Sequence, residues 1–450
     1  MTLDEALQVI ELLRAENAAL RLELQAVKER LAELEQAAAR QAAPFRRPEQ
    51  KKIPPEQKKP PGRKPGHPGA MRARPRSIDA EVEAPLPPCC GQCGGHLGDR
   101  QPLVQYIEEI PPVRPQVTRL TTWRATCARC GQVHTTSHPL QTSRAQGAAG
   151  VQLGPRAVAL ATLLNKHLGL TCGKTCQLLR KGFGLSLSRG GLSQLLTRVA
   201  AKAEARYEAL IDQLRGSPAV FADETSWWVG GPGWWLWVFT TPQATVYRVA
   251  DCRGSRIVRQ TLGDDFAGML VSDCLASYDP PPYRKHKCLA HHLRALKEQE
   301  EALQRRGIHS SYLTLWKLHL GDVIHTWRER PTLSAEAYAA KVAQLRQGVD
   351  NLLEQQPAQP EEVRFRERLR RRREHLLGCL EEPAAEPTNN RAERALRPAV
   401  IARKLSCGNK TERGRHAFEI LASLAATADQ QARDFLADLT NLLPLAPQAG

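Results

Sequence analysis

Two short apolar runs that each deliver an aspartate constrain this chain more than any other feature. Val220-Phe221-Ala222 ends at Asp223, and Met269-Leu270-Val271 ends two residues before Asp273. Runs of this length bounded by polar residues read as buried strands, and Trp234 to Phe239 and Ala244 to Val249 read as two more with short turns between them. A sheet is expected to begin near residue 219, with both aspartates at its rim, where a metal can sit. Either aspartate alone is explained as well by a turn or a helix cap. A third acid changes the argument. Glu393 lies on an expected helix in Asn389-Asn390-Arg391-Ala392-Glu393-Arg394-Ala395-Leu396-Arg397, with Arg403-Lys404 beyond. It is either a charge-pairing surface residue or the third ligand of a magnesium pair whose nucleic-acid substrate needs the arginines. Glu224 points away from that site if the strand pleat continues. Trp227, Trp228, Trp234, Trp235 and Trp237 pack a core, or else stack on unpaired bases.

The remaining segments are modular. In the first forty residues Leu3, Ile10, Asn17, Leu24 and Leu31 fall at heptad position a, and Ala6, Leu13, Leu20, Val27 and Leu34 at d. Such a stripe suits a parallel dimer, with Asn17 pairing across the seam; the alternative is one amphipathic helix lying on its own body. Pro44 to Arg76 has nine prolines and eleven basic residues against Glu49 and Glu56, which makes it a semi-extended linker able to track a phosphate backbone. Within it, Arg63 and Lys64 of Gly62-Arg63-Lys64-Pro65-Gly66 faintly resemble a minor-groove hook.

Cys90-Gly-Gln-Cys93 and Cys127-Ala-Arg-Cys130 come next, with 33 residues between them. Four thiolates from two such turns close a tetrahedral structural zinc shell, with Cys89, His96 or His134 as substitute ligands. Strand-like stretches at Val104 to Ile110 and Val117 to Trp123 suit a zinc ribbon. Leu160, Leu163, Leu164 and Leu168 fit one helix and Lys174 to Lys181 a second. Ser188 is an N-cap candidate for a third, with Leu192, Leu195 and Leu196 inward. The arrangement is helix-turn-helix-like, or else ordinary helical packing.

The 450 residues carry 64 Lys+Arg against 47 Asp+Glu, a net charge of +17, and 42% are hydrophobic. That balance favours a nucleic-acid partner. The N-terminus does not look like a secretory signal, no apolar run is long enough to span a bilayer, and twelve cysteines suit a reducing compartment. A cytoplasmic, nucleoid-associated protein is expected.

The sequence resembles the insertion-sequence-66 family of DDE transposases over almost its whole length. The matching stretches are the N-terminal helix, Gly62-Arg63-Lys64-Pro65-Gly66-His67-Pro68-Gly69, both CxxC pairs and Asp223-Glu224-Thr225. Ser272-Asp273 with Tyr278, Cys288-Leu-Ala-His291, Asn389 to Arg394 and Arg403-Lys404 come after them in the same order. The resemblance implies a multidomain α+β chain with a ribonuclease-H-like catalytic domain. In it Asp223, Asp273 and Glu393 form the triad that binds Mg²⁺ or Mn²⁺. It also implies cleavage of transposon ends, strand transfer into target DNA, and small accessory proteins.

The 119 residues between the last two acids call for a helical insertion. The expected layout is a coiled coil at 1–43, linker at 44–80, zinc ribbon at 81–140 and helical DNA-binding region at 150–217. A catalytic domain at 218–430, with its insertion at about 293–385, and a tail at 431–450 complete it. Arg394, Arg397, Arg403 and Lys404 are candidate phosphate contacts, His291 is a candidate accessory group, and the seven arginines of residues 364–373 are a solvated helix face or a DNA contact. A homodimer or higher oligomer on DNA is expected, with no membrane partner. The rival readings are a noncatalytic DNA-binding regulator and a metal-dependent nuclease without strand transfer.

Overall fold

The computed structural model describes residues 16, 17, 20, 23–25, 73–98, 101–143 and 153–445. The chain divides into two units, Met1–Arg114 and Pro115–Gly450. In the first, the six described residues of the heptad segment are helical and exposed, Leu20 and Leu24 among them. The rest of the heptad, and the linker motif with Arg63 and Lys64, lie outside the described residues. Among the described residues no helix is long and apolar enough to cross a membrane.

The second unit opens with a hairpin, β1 (Arg124–Thr126) against β2 (Val133–Thr135). The longer strands expected at Val104 to Ile110 and Val117 to Trp123 do not form. These stretches are irregular and face water, with Val104 70% and Val117 90% exposed. An alternating pattern becomes a strand only with a neighbour to ladder against, and β1 and β2 pair through just three residues each.

Three helices come next. α1 (Pro155–Thr162) runs on through a π-helical turn, Leu163–His167. α2 (Cys172–Phe183) is capped by Thr171 and stopped by Gly184 at φ 66°, and α3 (Arg189–Arg215) starts at Ser188, whose Oγ accepts the Gly191 N–H at 3.0 Å. Leu192, Leu195 and Leu196 are buried as expected. Leu168 is not; it is 56% exposed, because the π turn ends there and hands the chain to Gly169 at φ 70°.

The central sheet has five strands: β3 (Ala219–Trp227), β4 (Trp234–Thr240), β5 (Thr245–Ala250), β6 (Met269–Ser272) and β7 (Arg284–Lys287). Their order is β5-β4-β3-β6-β7, antiparallel from β5 to β3 and parallel from β3 to β7. α4 (Ser255–Leu262) connects β5 to β6. Alternation along β3 divides the core. Val220 and Ala222 pack with α3 on one face, whereas Ala219 and Phe221 pack with a helical layer on the other.

That layer is α5 (Leu289–Gln304), α6 (Ser311–Glu329), α7 (Ala335–Glu354), α8 (Pro360–Arg370) and the short α9 (Gly378–Glu381), gathered around the fully buried Trp316 and the buried Phe365. α10 (Asn390–Ser406), α11 (Glu412–Gln430) and α12 (Phe435–Leu442) close the chain.

α11 also seals the sheet edge. The outward N–H groups of Thr245, Tyr247 and Val249 donate to Thr427 Oγ1 (3.0 Å), Ser423 Oγ (2.8 Å) and Glu419 Oε1 (2.6 Å). Every second strand residue meets every fourth helix residue because about 6.8 Å of strand matches about 6 Å of helix. This closes an edge that would otherwise template pairing with another chain. Ser423→Ala therefore leaves the buried Tyr247 N–H without an acceptor. We expect a loss of about 1–3 kcal/mol in urea unfolding with m unchanged; a shift within about 0.5 kcal/mol, as for an ordinary surface substitution, would refute the ladder.

Candidate active site

Asp223 and Asp273 meet because β3 outruns its parallel neighbour. The pairing of β3 with β6 ends at Phe221↔Val271, and continuing that register by two residues brings Asp223 opposite Asp273. The expectation that β3 ends at Asp223 is corrected: the strand runs on to Trp227, held throughout by antiparallel pairing with β4. The rim on which the aspartates stand is thus the end of β6. Asp223 Oδ1 accepts the Glu224 N–H at 2.9 Å, and Asp273 Oδ1 accepts the Leu275 N–H at 2.8 Å.

Glu393 enters from the first turn of α10, its Oε1 3.9 Å from His291 Nε2 on α5. Burial pushes the Asp223 carboxyl well above the usual carboxylate range, and the charges of Glu224, Asp273 and Glu393 push it further. Burial lowers the His291 ring below its usual value, against the pull of Asp273 and Glu393. The three acids and His291 thus share one electrostatic site. Among the described residues, however, no three His, Cys, Asp or Glu side chains converge closely enough to form a metal centre.

The fourth acid, Glu224, is buried on the opposite face of β3. Arg253 donates to its Oε1 at 2.7 Å and Tyr278 to its Oε2 at 2.5 Å, and Arg253 lies 4.5 Å over the Trp235 ring. Sequence reasoning missed this Arg253 clamp, for which no motif signals.

Two further residues tie the acid-bearing segments together. Asn389 Nδ2 donates to Ala222 O at 2.7 Å, next to Asp223, and the Glu393 N–H donates to Asn389 O at 3.1 Å. The Cys288 N–H donates to Ser272 O at 2.9 Å, next to Asp273, while its buried Sγ accepts the Asn389 N–H at 3.1 Å. Cys288 is thus a joint between the second and third acids, and burial keeps its thiol pKa raised. The sequence does signal both residues, since Cys288 opens the Cys-x-x-His motif and Asn389 opens the stretch that carries Glu393.

The candidate phosphate contacts separate. Arg394 and Arg397 are exposed, and among the described residues no carboxylate pairs with them. Lys404 is exposed. Arg403 instead turns back onto β3, donating to Thr225 Oγ1 at 3.0 Å and to Ser226, so its guanidinium is already engaged in anchoring α10. Of the tryptophans, Trp227 and Trp237 are core residues, whereas Trp228, Trp234 and Trp235 are half-buried.

The two CxxC turns are built alike. The Cys90 N–H donates to Gly95 O and the Gly94 N–H to Cys90 O; the Cys127 N–H donates to Gln132 O and the Gly131 N–H to Cys127 O, all at 2.8–2.9 Å. Gly94 (φ 71°) and Gly131 (φ 69°) supply the left-handed residue each turn needs. Backbone N–H groups of Gln92 and Cys93 lower the Cys90 thiol pKa, and those of Cys130 and Arg129 lower that of Cys127. Each turn therefore favours a thiolate, the form a metal binds.

Among known proteins, the chain is 25% identical over 289 residues to an uncharacterized protein, y4qI, of Sinorhizobium fredii (strain NBRC 101917 / NGR234). That match takes in 58% of this chain and 53% of the relative, so the chain spans about half the length of the curated protein it matches. The transposase IS66 family matches residues 150–417, from the head of α1 through the triad to the start of α11. With more than half its length matched, including all three acids, the chain belongs to the IS66 family of transposases.

Proposed function

We propose that the chain is a DNA transposase that cuts transposon ends and joins them to target DNA, with Asp223, Asp273 and Glu393 as its catalytic acids. The observation that carries this reading is the meeting of three acids from distant stretches of chain, close enough that the other two raise the Asp223 pKa. The sheet supports a ribonuclease-H-like fold: three antiparallel strands continue into two parallel ones, and β3, the first strand of this sheet, lies at its centre. The donor set fits Mg²⁺ or Mn²⁺, since carboxylate oxygens are hard ligands and mutually repelling acids favour a cation among them. Bound there, such ions supply charge neutralisation and an activated oxygen for in-line displacement at phosphorus. The chain's own part is to hold the acids: Asn389 fixes α10 to β3, Cys288 fixes β6 to α10, and His291 stays neutral beside Glu393.

The test is Mg²⁺-dependent cleavage and joining of duplexes carrying the element's own ends. Joining of pre-cut ends supports the transposase; cleavage without joining would make it a nuclease, and tight binding without either would favour the regulator.

We also propose structural zinc as the ligand of the thiolate pairs Cys90 with Cys93 and Cys127 with Cys130, since each CxxC turn presents two thiols of the kind zinc takes. Cys93→Ser is expected to lower zinc content and melting temperature together, measured by metal analysis and calorimetry; full zinc occupancy in that variant would remove Cys93 from the ligand set. The exposed Leu20 and Leu24 suit dimerisation through the heptad, and α2 and α3 suit DNA reading.

A further inference from the structure

Of the seven arginines between residues 364 and 373, four are neutralised by the protein itself. Arg364 pairs with Glu361 (3.1 Å), Arg366 and Arg370 with Glu367 (3.4 and 2.9 Å), and Arg373 with Asp350 (2.5 Å). Arg371 is exposed. Arg366, Arg368 and Arg372 each have a buried Nε with no hydrogen-bond partner. Of the three, Arg366 meets its carboxylate at 3.4 Å, which leaves Arg368 and Arg372. Arg372 reaches the loop that carries the second acid, its Nη2 donating to Cys274 O at 3.1 Å and standing 4.0 Å from Asp279. Among the described residues no carboxylate pairs with Arg368.

The direction of these two charges is set by packing. Phe365 and Leu369 sink into the core beside α5, the helix that follows Cys288 and carries His291 and His292. His292 Nε2 lies 3.7 Å from Cys274 Sγ, and His291 lies 3.9 Å from Glu393. The Arg368 charge opposes protonation of His291 and His292 and of the Cys274 thiol, in keeping with a place on the α5 side of the insertion. A guanidinium with free donors has a planar fork that matches a phosphodiester.

We propose that Arg368, with Arg372 beside it, grips a phosphate of the reacting DNA strand at the edge of the acid cluster, so that the helical insertion forms one wall of the active site. The proposal rests on the assignment of Asp223, Asp273 and Glu393 as catalytic acids. It gives the insertion a task in the chemistry, since three acids alone repel a polyanionic strand and a fixed cation beside them offsets that repulsion.

The experiment compares Arg368→Gln, Arg368→Lys, Arg371→Gln and Asp273→Ala with the natural protein in the full chain. The probe is a duplex ending in the element's own pre-cut terminus, assayed by single-turnover joining with Mg²⁺ and by metal-free affinity across a salt series. Arg368→Gln is expected to slow joining by about tenfold to a hundredfold, the range for a lost charge-assisted hydrogen bond. It should also flatten the salt dependence by about one phosphate contact. Arg368→Lys should recover part of the rate, and Arg371→Gln should join like the natural protein. Natural rates and salt slope in Arg368→Gln, an equal loss in Arg371→Gln, or failure of Arg368→Gln to fold would overturn the proposal. Asp273→Ala separates the two levels. If it is inactive while Arg368→Gln is normal, only the arginine assignment falls; if it stays active, the acid assignment falls with it.

Discussion

Asp223→Asn is expected to melt at a higher temperature than the natural protein in metal-free neutral buffer and to cut no DNA. Both halves have one cause. In the folded chain the Asp223 carboxyl is held well above its ordinary value, by burial first and then by Glu224, Asp273 and Glu393. A carboxyl that is harder to ionise when folded contributes stability that is fully present below the unfolded value, near 3.9. That contribution is lost as pH rises through the folded value, because the unfolded chain sheds the proton more readily. At neutral pH the folded protein therefore bears the cost of an acid that is harder to ionise than in the unfolded chain, and asparagine removes that cost while keeping the shape. Melting temperature should fall with rising pH in the natural protein and fall less in the variant. Added Mg²⁺ should restore the natural protein by binding the folded state alone, with little effect on the variant. Cleavage in the variant should drop by more than about a thousandfold, the upper scale seen when one preorganised charge-stabilising group is lost. A variant that melts lower, or that still cuts, would mean that Asp223 is not the buried member of a catalytic cluster.

The two buried strands are legible in sequence because Val220 to Ala222 and Met269 to Val271 are apolar runs short enough to cross a core, and both are buried; the register that sets Asp223 opposite Asp273 follows from their parallel pairing. The reach of β3 is hidden. The apolar run ends before Asp223, yet pairing with β4 holds Glu224, Thr225 and Ser226 in the strand, and the partners that bury Glu224 come from distant stretches at Arg253 and Tyr278. Val104 to Ile110 is the opposite case, a strand-like stretch with no ladder partner among the described residues. The arginines of the insertion are indistinguishable by composition; their acidic partners separate them, Glu361, Glu367 and Asp350 closely and Asp279 at the longer 4.0 Å from Arg372. Ser188 shows the converse, a cap visible in sequence because its hydrogen bond is local.

Trp237→Ala tests the choice between core and base-stacking roles for the tryptophans of β3 and β4. Trp237 is fully buried at the middle of β4, directly opposite Glu224 in the ladder. Its ring lies parallel to Phe239 at 6.4 Å and meets the Tyr278 ring edge-on at 5.8 Å, with Nε1 donating to Cys252 O at 3.4 Å. Truncation removes the largest side chain of that layer, and the neighbours cannot close the space because the sheet fixes their backbones. The expected cost is about 3–5 kcal/mol in urea unfolding. A second consequence is more specific. Tyr278 is positioned partly by the indole and donates to Glu224, so its loosening should weaken the clamp that Arg253 and Tyr278 make on that acid. DNA affinity per folded molecule should stay at the natural level, because a ring with no exposed face has none to offer a base. The reverse result, stability within about 1 kcal/mol of the natural protein and weakened binding of single-stranded DNA, would transfer Trp237 from the core to the substrate surface, and with it the reading of which face of the sheet meets DNA.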